Sequence, residues 1–482
     1  MHPLRLFRPL AARTLILGLA LVLCVAITSA QNSAGAPPTK SSKSQSQADF
    51  IATADEVLAQ MSKITGLELR SPLKKSLRSR EEIRAYVIKQ MNEDRTPAER
   101  YADARSAEAL GLIPKGFDVD KFLVNVLTEQ IEGLYDPKTQ EFFIADWSPP
   151  EDQRMVMAHE LTHALQDQHF QIEAWARAAR PNDDAELARE AFLEGSATAA
   201  MADYLMLPTG RSLKDLPEFD ASIFVSDQAD TPALKNAPPF LKDSLLFPYL
   251  HGLNFSAAML RDSGWAGLPG VFARPPVSTQ QILHPELYKT GKVPATVSLP
   301  QLGDILGDKW AKLDENLVGE FGWLEIFKQF LDTDRGRSLA AAWDGDRYIL
   351  YEQKDTRKLL LGIRVHLDSE VHAARFFGQY SEALEKKHAE HASLFRRPTF
   401  FSFDTPDGGV FLECVAEECV TLEGATREQF DALAKLLNWP AAPKPPARPG
   451  AETEKTAEIR ALGENIVAAR SANRASELSA EP

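Results

Sequence analysis

The stretch Val156–Phe170 reads VMAHELTHALQDQHF and holds three of the chain's ten histidines. Val156, Met157, Leu161, Thr162, Ala164 and Leu165 are all uncharged, so a helix over this stretch is largely buried. His159 and His163 are four residues apart, which sets both rings on one helix face about 5–6 Å from each other. Two imidazoles at that spacing can chelate a single zinc ion. Glu160 is turned about 100° away by the helical period and cannot easily join the same chelate. It can instead take a proton from water beside the metal, the role of a general base in hydrolysis of a carbonyl compound. The bland alternative is a satisfied core cluster, but two buried histidines and a glutamate are costly unless a metal or a hydrogen-bond network compensates them.

Outward from this helix, GLYDPKTQEFFIADW (133–147) reads as a β-hairpin turning at Asp136-Pro137-Lys138-Thr139. Ser148-Pro149-Pro150-Glu151 reads as a capping box that starts the helix. The strand in EFFIAD is either an edge strand that pairs with extended peptide substrate or a purely structural element. From Ala48 to about Leu127 the apolar spacing is helical, as in EEIRAYVIKQM and DKFLVNVLTEQI. A second helix is expected from Asp184 to Leu205, followed by a surface loop or insertion over 206–240. That second helix carries Glu186, Glu190 and Glu194 on one face. The stripe is either a solvated charged face or the source of the carboxylate that a two-histidine catalytic site requires. Glu194 sits in AFLEGSATAA, whose small residues indicate close helix packing.

VMAHELTHAL resembles the zinc helix of the gluzincin-type metallopeptidases, which include thermolysin-like enzymes and the broader peptidase MA-like group. With GLYDPKTQEFFI before it and FLEGSATAAMADY and FPYLHGLNF after it, the chain is similar over about residues 80–290 to exported bacterial proteins of this type. The resemblance implies a zincin-like core, one zinc ion, and a third ligand from a glutamate on a downstream helix. The E-G-x-A pattern of such proteins falls on Glu194. One departure matters: an aspartate usually follows the glutamate ligand at four residues and supports a histidine, whereas here Thr198 stands there. With Glu190 as ligand, Glu194 would take the supporting place, so both glutamates stay open. The expected site is thus His159, His163 and Glu194 on zinc, with Glu160 as base.

The other histidines carry weaker signals. His169 is rotated about 240° from His163 and cannot share its chelate. His251, His284 and Tyr249 are either structural or assist the transition state. His366, His372, His388 and His391 lie further on, the last two expected on a charged helix face.

Arg5, Arg8 and Arg13 precede an uncharged run from Thr14 to Ala30, the pattern of a secretory signal peptide cut before Gln31. A membrane role follows only if that segment is uncleaved. Its removal takes the formal charge from −14 to −17, which argues against nucleic acid as a partner. Cys414 and Cys419 remain, with four residues between them in two β-like runs, and an oxidising compartment favours a hairpin disulfide. A periplasmic or secreted location is expected.

The domain reading is a signal peptide (1–30), a flexible leader (31–48), a helical N-terminal part with the zincin-like core (49–300), a C-terminal module (301–439) and a disordered tail (440–482). The module shows helix GEFGWLEIFKQFL, strands RYILYEQ and KLLLGIRVHL, a helix capped by Asp368, three short strands, and a last helix with a capping box at Thr426–Gln429. The fold class is α+β. The expected function is an exported zinc-dependent peptidase acting on a peptide or protein; the rival is a non-catalytic zincin-like binding or assembly factor.

Overall fold

The computed structural model describes residues 47–216, 221–224, 231–441 and 443. The signal segment, the leader up to Ser46, and the tail beyond Ala441 apart from Pro443 lie outside the described residues. The fold is α+β, with helices dominating the first part and an antiparallel sheet the second.

The N-terminal part runs α1 (Gln47–Thr65), β1 (Lys74–Arg78), α2 (Arg80–Asp94), α3 (Pro97–Leu110) and α4 (Val119–Gln130). Capping boxes at Ser79/Glu82 and Thr96/Glu99 satisfy the first free N–H groups of α2 and α3. Strand β1 corrects the expectation of unbroken helix here. Its sequence, KKSLR, holds one apolar residue and shows no alternation. Pairing outside the strand sets its state, with Ser76 Oγ and Arg78 donating to Glu141 at 2.6 and 2.9 Å.

The hairpin forms as read, with β2 (Gly133–Asp136) antiparallel to β3 (Glu141–Ala145). Of the two readings of this strand, the edge strand does not hold and the structural one does, because β1 pairs in parallel with the other side of β3 and the order is β1-β3-β2. Both faces of this small sheet are covered. Tyr135, Phe142 and Ile144 join the core of α1 and the following helix, while Leu134, Phe143 and Ala145 pack with Ile83, Val87, Leu127 and Tyr249.

Helix α5 (Pro150–Phe170) carries the opening stretch. Its cap differs from expectation: Pro149 holds the cap position without a side-chain bond, and Ser148 Oγ donates instead to Glu132 Oε2 at 3.2 Å. After α6 (Ile172–Arg177) comes α7 (Asp183–Met206), capped by Asn182, within a residue of the expected bounds at both ends. Described pieces of 206–240 are short helical turns, and Leu213, Ala221 and Leu234 among them are buried, so this segment is not all surface. Helix α8 (Pro239–Ser263) lies against α7.

Beyond short helices over Leu268–Ala273, Thr279–Leu283, Pro285–Thr290 and Gly303–Leu306 come β4 (Trp310–Asn316), α9 (Gly319–Phe330), α10 (Thr333–Ala340), β5 (Trp343–Gln353), β6 (Leu359–Leu367) and α11 (Glu370–Lys387). They are followed by β7 (Ala392–Arg396), β8 (Phe400–Thr405), β9 (Gly408–Val415), β10 (Glu418–Ala425) and α12 (Arg427–Leu436). The seven strands pair antiparallel in the order β4-β5-β6-β10-β9-β8-β7. After α11 there are four strands rather than three. Ser369, not Asp368, caps α11, and Asp368 turns to Ser369 Oγ and the His372 ring. His388 and His391 lie beyond the end of α11 rather than on a helix face, where His391 Nδ1 donates to the His388 carbonyl. The Thr426/Gln429 capping box opens α12 as read. Cys414 and Cys419 are register partners across the β9–β10 hairpin and form a disulfide.

One hydrophobic core runs without a break from Phe50 in α1, through α5 and α7, to Cys419 in β10.

Candidate metal centre

Helix α5 is buried because its apolar residues surround it: Val156, Met157, Ala158, Leu161, Ala164 and Leu165 have no exposed surface. Helix α7 beside it is built largely of small residues, which lets neighbours approach its backbone. The closest approach is to α8. A Cβ on Gly195 would lie 1.9 Å from the Gly252 carbonyl carbon, and one on Gly252 would lie 1.8 Å from the Ala191 carbonyl oxygen. Two glycines therefore set the α7–α8 crossing beside Glu194. One turn before Gly252, Tyr249 brings its ring centroid to 6.2 Å from that of His159.

Across α5 and α7, His159 Nε2 lies 3.1 Å from Glu194 Oε2, His163 Nε2 lies 3.4 Å from the same oxygen, and the two Nε2 atoms are 3.2 Å apart. Among the described residues this is the one group of three potential ligands converging on a point, and all three are buried. Glu190, also buried, is not part of it. Glu186 is turned away to Arg180, 2.7 Å from its guanidinium. Thr198 supports no histidine, since its Oγ1 donates to the Glu194 carbonyl of its own helix.

Burial disfavours a charge on Glu194, yet the histidines hold its carboxyl down at about 2. Burial and its neighbour push His159 down, while Glu194 and Glu160 raise His163 against the same burial. Two imidazole nitrogens and a carboxylate oxygen aimed at one another repel unless a proton or a metal cation sits among them. A tetrahedral zinc ion with bonds of about 2.0–2.1 Å spaces its ligand atoms roughly 3.3 Å apart, which matches the three distances. The donor set, two neutral nitrogens and one carboxylate, suits zinc and leaves a coordination position open.

Glu160 points elsewhere, as the helical period requires. Its Oε2 accepts the Tyr135 N–H at 2.8 Å, and its Oε1 has no hydrogen-bond partner among the described residues. Burial pushes this carboxyl up to about 8, with the charge of His163 opposing that shift. Tyr135 also donates its hydroxyl to Asp167 Oδ2, so a single residue of β2 touches α5 twice.

With this geometry, the two family matches fall into place. Residues 117–229 match the IrrE N-terminal-like domain, peptidase M78. The segment is metallopeptidase-like. It spans α4, the hairpin, α5, α6 and α7, and so contains all four expected site residues. The similarity reaches zinc-type metallopeptidases without singling out the thermolysin-like branch. Residues 309–434, which include β4 through most of α12, match a domain of unknown function (DUF8575). No curated protein and no solved structure matches the chain.

Around the metallopeptidase-like centre, sequence reasoning missed Gln166 and Ser196. Gln166 Oε1 lies 3.3 Å from His163 Nδ1, and Gln166 Nε2 donates to Ser196 Oγ at 2.8 Å. The available signal was position: Gln166 is three residues after His163 and shares its face. The other histidines are engaged elsewhere. His169 Nε2 bonds the Glu68 carbonyl, His284 Nε2 lies 2.7 Å from Glu320, and His388 Nε2 lies 2.6 Å from Glu423. His366 lies 4.0 Å from Glu418, and His251 sits tilted against Phe247, with ring centroids 4.9 Å apart and burial pushing it down to about 4.

Proposed function

We propose that this protein is an exported zinc-dependent hydrolase, specifically a peptidase, with His159, His163 and Glu194 as ligands and Glu160 as general base. The observation that carries this reading is the convergence of the three ligand atoms on two buried helices, with a carboxylate next to the first histidine turned aside from them. The peptidase M78 similarity over the same residues supports it. Zinc bound there supplies Lewis acidity, polarising a carbonyl and making water acidic enough to lose a proton near neutral pH. The chain's own part is to hold His159 and His163 on one helical face, bring Glu194 from a second helix, and keep Glu160 free of the ligand set. Glu160, held at Oε2 by the Tyr135 N–H, accepts the proton of the attacking water on Oε1 and passes it to the leaving amine.

The C-terminal sheet takes no part in the ligand set, and the signal-like first thirty residues supply the export reading. The substrate class is a peptide or protein chain.

A second reading, a non-catalytic zincin-like binding or assembly factor, is favoured by one observation. Glu160 is buried and already tied to Tyr135. Glu160→Gln separates the two. The peptidase reading expects unchanged zinc content and loss of roughly 10²–10⁴-fold in hydrolysis of a protein substrate. A variant indistinguishable from the parent in every functional assay would leave the non-catalytic reading standing. Metal analysis of the mature chain with His163→Ala as control tests the site, and equal zinc in both would sink it.

A further inference from the structure

A hydrogen-bond chain behind His163 has a forced polarity. Ser196 Oγ donates to the Leu193 carbonyl at 3.0 Å, and a carbonyl oxygen can only accept. That uses the one proton of Ser196, so its Oγ accepts from Gln166, whose amide nitrogen is the end that donates. The oxygen end of Gln166 therefore faces His163 Nδ1 at 3.3 Å. An amide oxygen can only accept, so Nδ1 carries the proton and a neutral His163 has its lone pair on Nε2. Nε2 is the atom that faces His159 and Glu194. Gln166 and Ser196 have no exposed surface, so water cannot stand in for either.

We infer that Gln166 is a positioning residue that fixes the tautomer and ring direction of His163 for the metal, and that Ser196 sets which way Gln166 points. The inference rests on the zinc reading above. The chain of bonds also ties α5 to α7 at Leu193, next to Glu194, so one relay aligns ligands on two helices. It takes over the supporting role that Thr198 does not fill.

The test measures zinc affinity of the full mature chain by competition with a chromophoric chelator, with thermal midpoints of the metal-free proteins alongside. Gln166→Leu keeps the approximate shape and removes the acceptor, and is expected to weaken zinc about 10–100-fold while leaving the metal-free midpoint near that of the parent. Gln166→Glu restores an acceptor and is expected to bind close to the parent, a rescue that a packing role would not give. Ser196→Ala frees the amide to turn over and is expected to fall between, and it carries the test if the leucine variant does not fold. Parent-like zinc affinity in Gln166→Leu, or in Ser196→Ala where that stands in, overturns the inference, as does a glutamate variant as weak as the leucine one. A parent chain that binds no zinc overturns the proposed function and this inference together.

Discussion

Glu190 and Glu194 stand one turn apart on α7, both buried, and only Glu194 meets the histidines. Losing a ligand should cost at least the ~10–100-fold that a lost supporting partner costs, so Glu194→Gln is expected to lose zinc while Glu190→Gln retains a full equivalent. Equilibrium zinc titration checks this, and equal loss in both variants would reopen the choice. The pair His159 and His163 was legible in the sequence because a four-residue spacing has one geometric meaning on a helix. Glu194 was legible through the small residues around it, but the choice over Glu190 needed the rotation of α7 against α5, which no local pattern encodes. Gln166 went unread because an amide carries no charge to mark it as chemical. The supporting contact expected four residues after the glutamate, at Thr198, is made from α5 instead.

At the scale of elements, the α7–α8 crossing has no room for a side chain at Gly195 or Gly252. Each Gly→Ala change should push backbone against backbone and cost at least the ~1–3 kcal/mol of core overpacking, read as a shift in the denaturation midpoint. Unchanged stability in both variants would contradict the crossing. A second junction is electrostatic. Lys387 at the end of α11 and His388 after it close on Glu423 of β10, and although burial opposes the charge they hold this carboxyl down at about 2. The folded value lies below the ordinary 4.5, so the stabilisation is fully present above pH 4.5 and is lost as pH falls toward about 2. The parent's unfolding free energy should therefore fall across that window by up to about 3 kcal/mol more than that of Glu423→Gln. Parallel pH curves would remove the junction's contribution. Helices α5 and α7 and the hairpin were readable because their periods and turn residues agree. Strand β1 was not, because KKSLR has no periodicity of its own and takes its conformation from the backbone of β3. The caps failed at Ser148 and Asp368 for a related reason: each side chain found another partner.

At the scale of the whole molecule, the shared core from α1 to β10 joins the candidate metal centre to the C-terminal sheet. Zinc that binds only the folded chain adds about 4 kcal/mol at a thousandfold excess over its Kd. Calorimetry is expected to show one transition over the described residues that rises by several degrees with zinc and falls with a chelator. A separate transition indifferent to zinc would contradict the common core. No helix among the described residues is long and apolar enough to cross a membrane. The α+β class was legible from the change of pattern along the chain, whereas the fusion of both parts into one core was not, since contacts between distant segments leave no local trace.

Tyr135 grips α5 at Glu160 through its backbone and at Asp167 through its ring hydroxyl. Those anchor points are seven residues apart, about 10 Å along the helix axis. A single pin would leave the hairpin a swivel, and two pins remove it. Hairpin and helix thus travel as one rigid part, and a displacement of either carries the other with it.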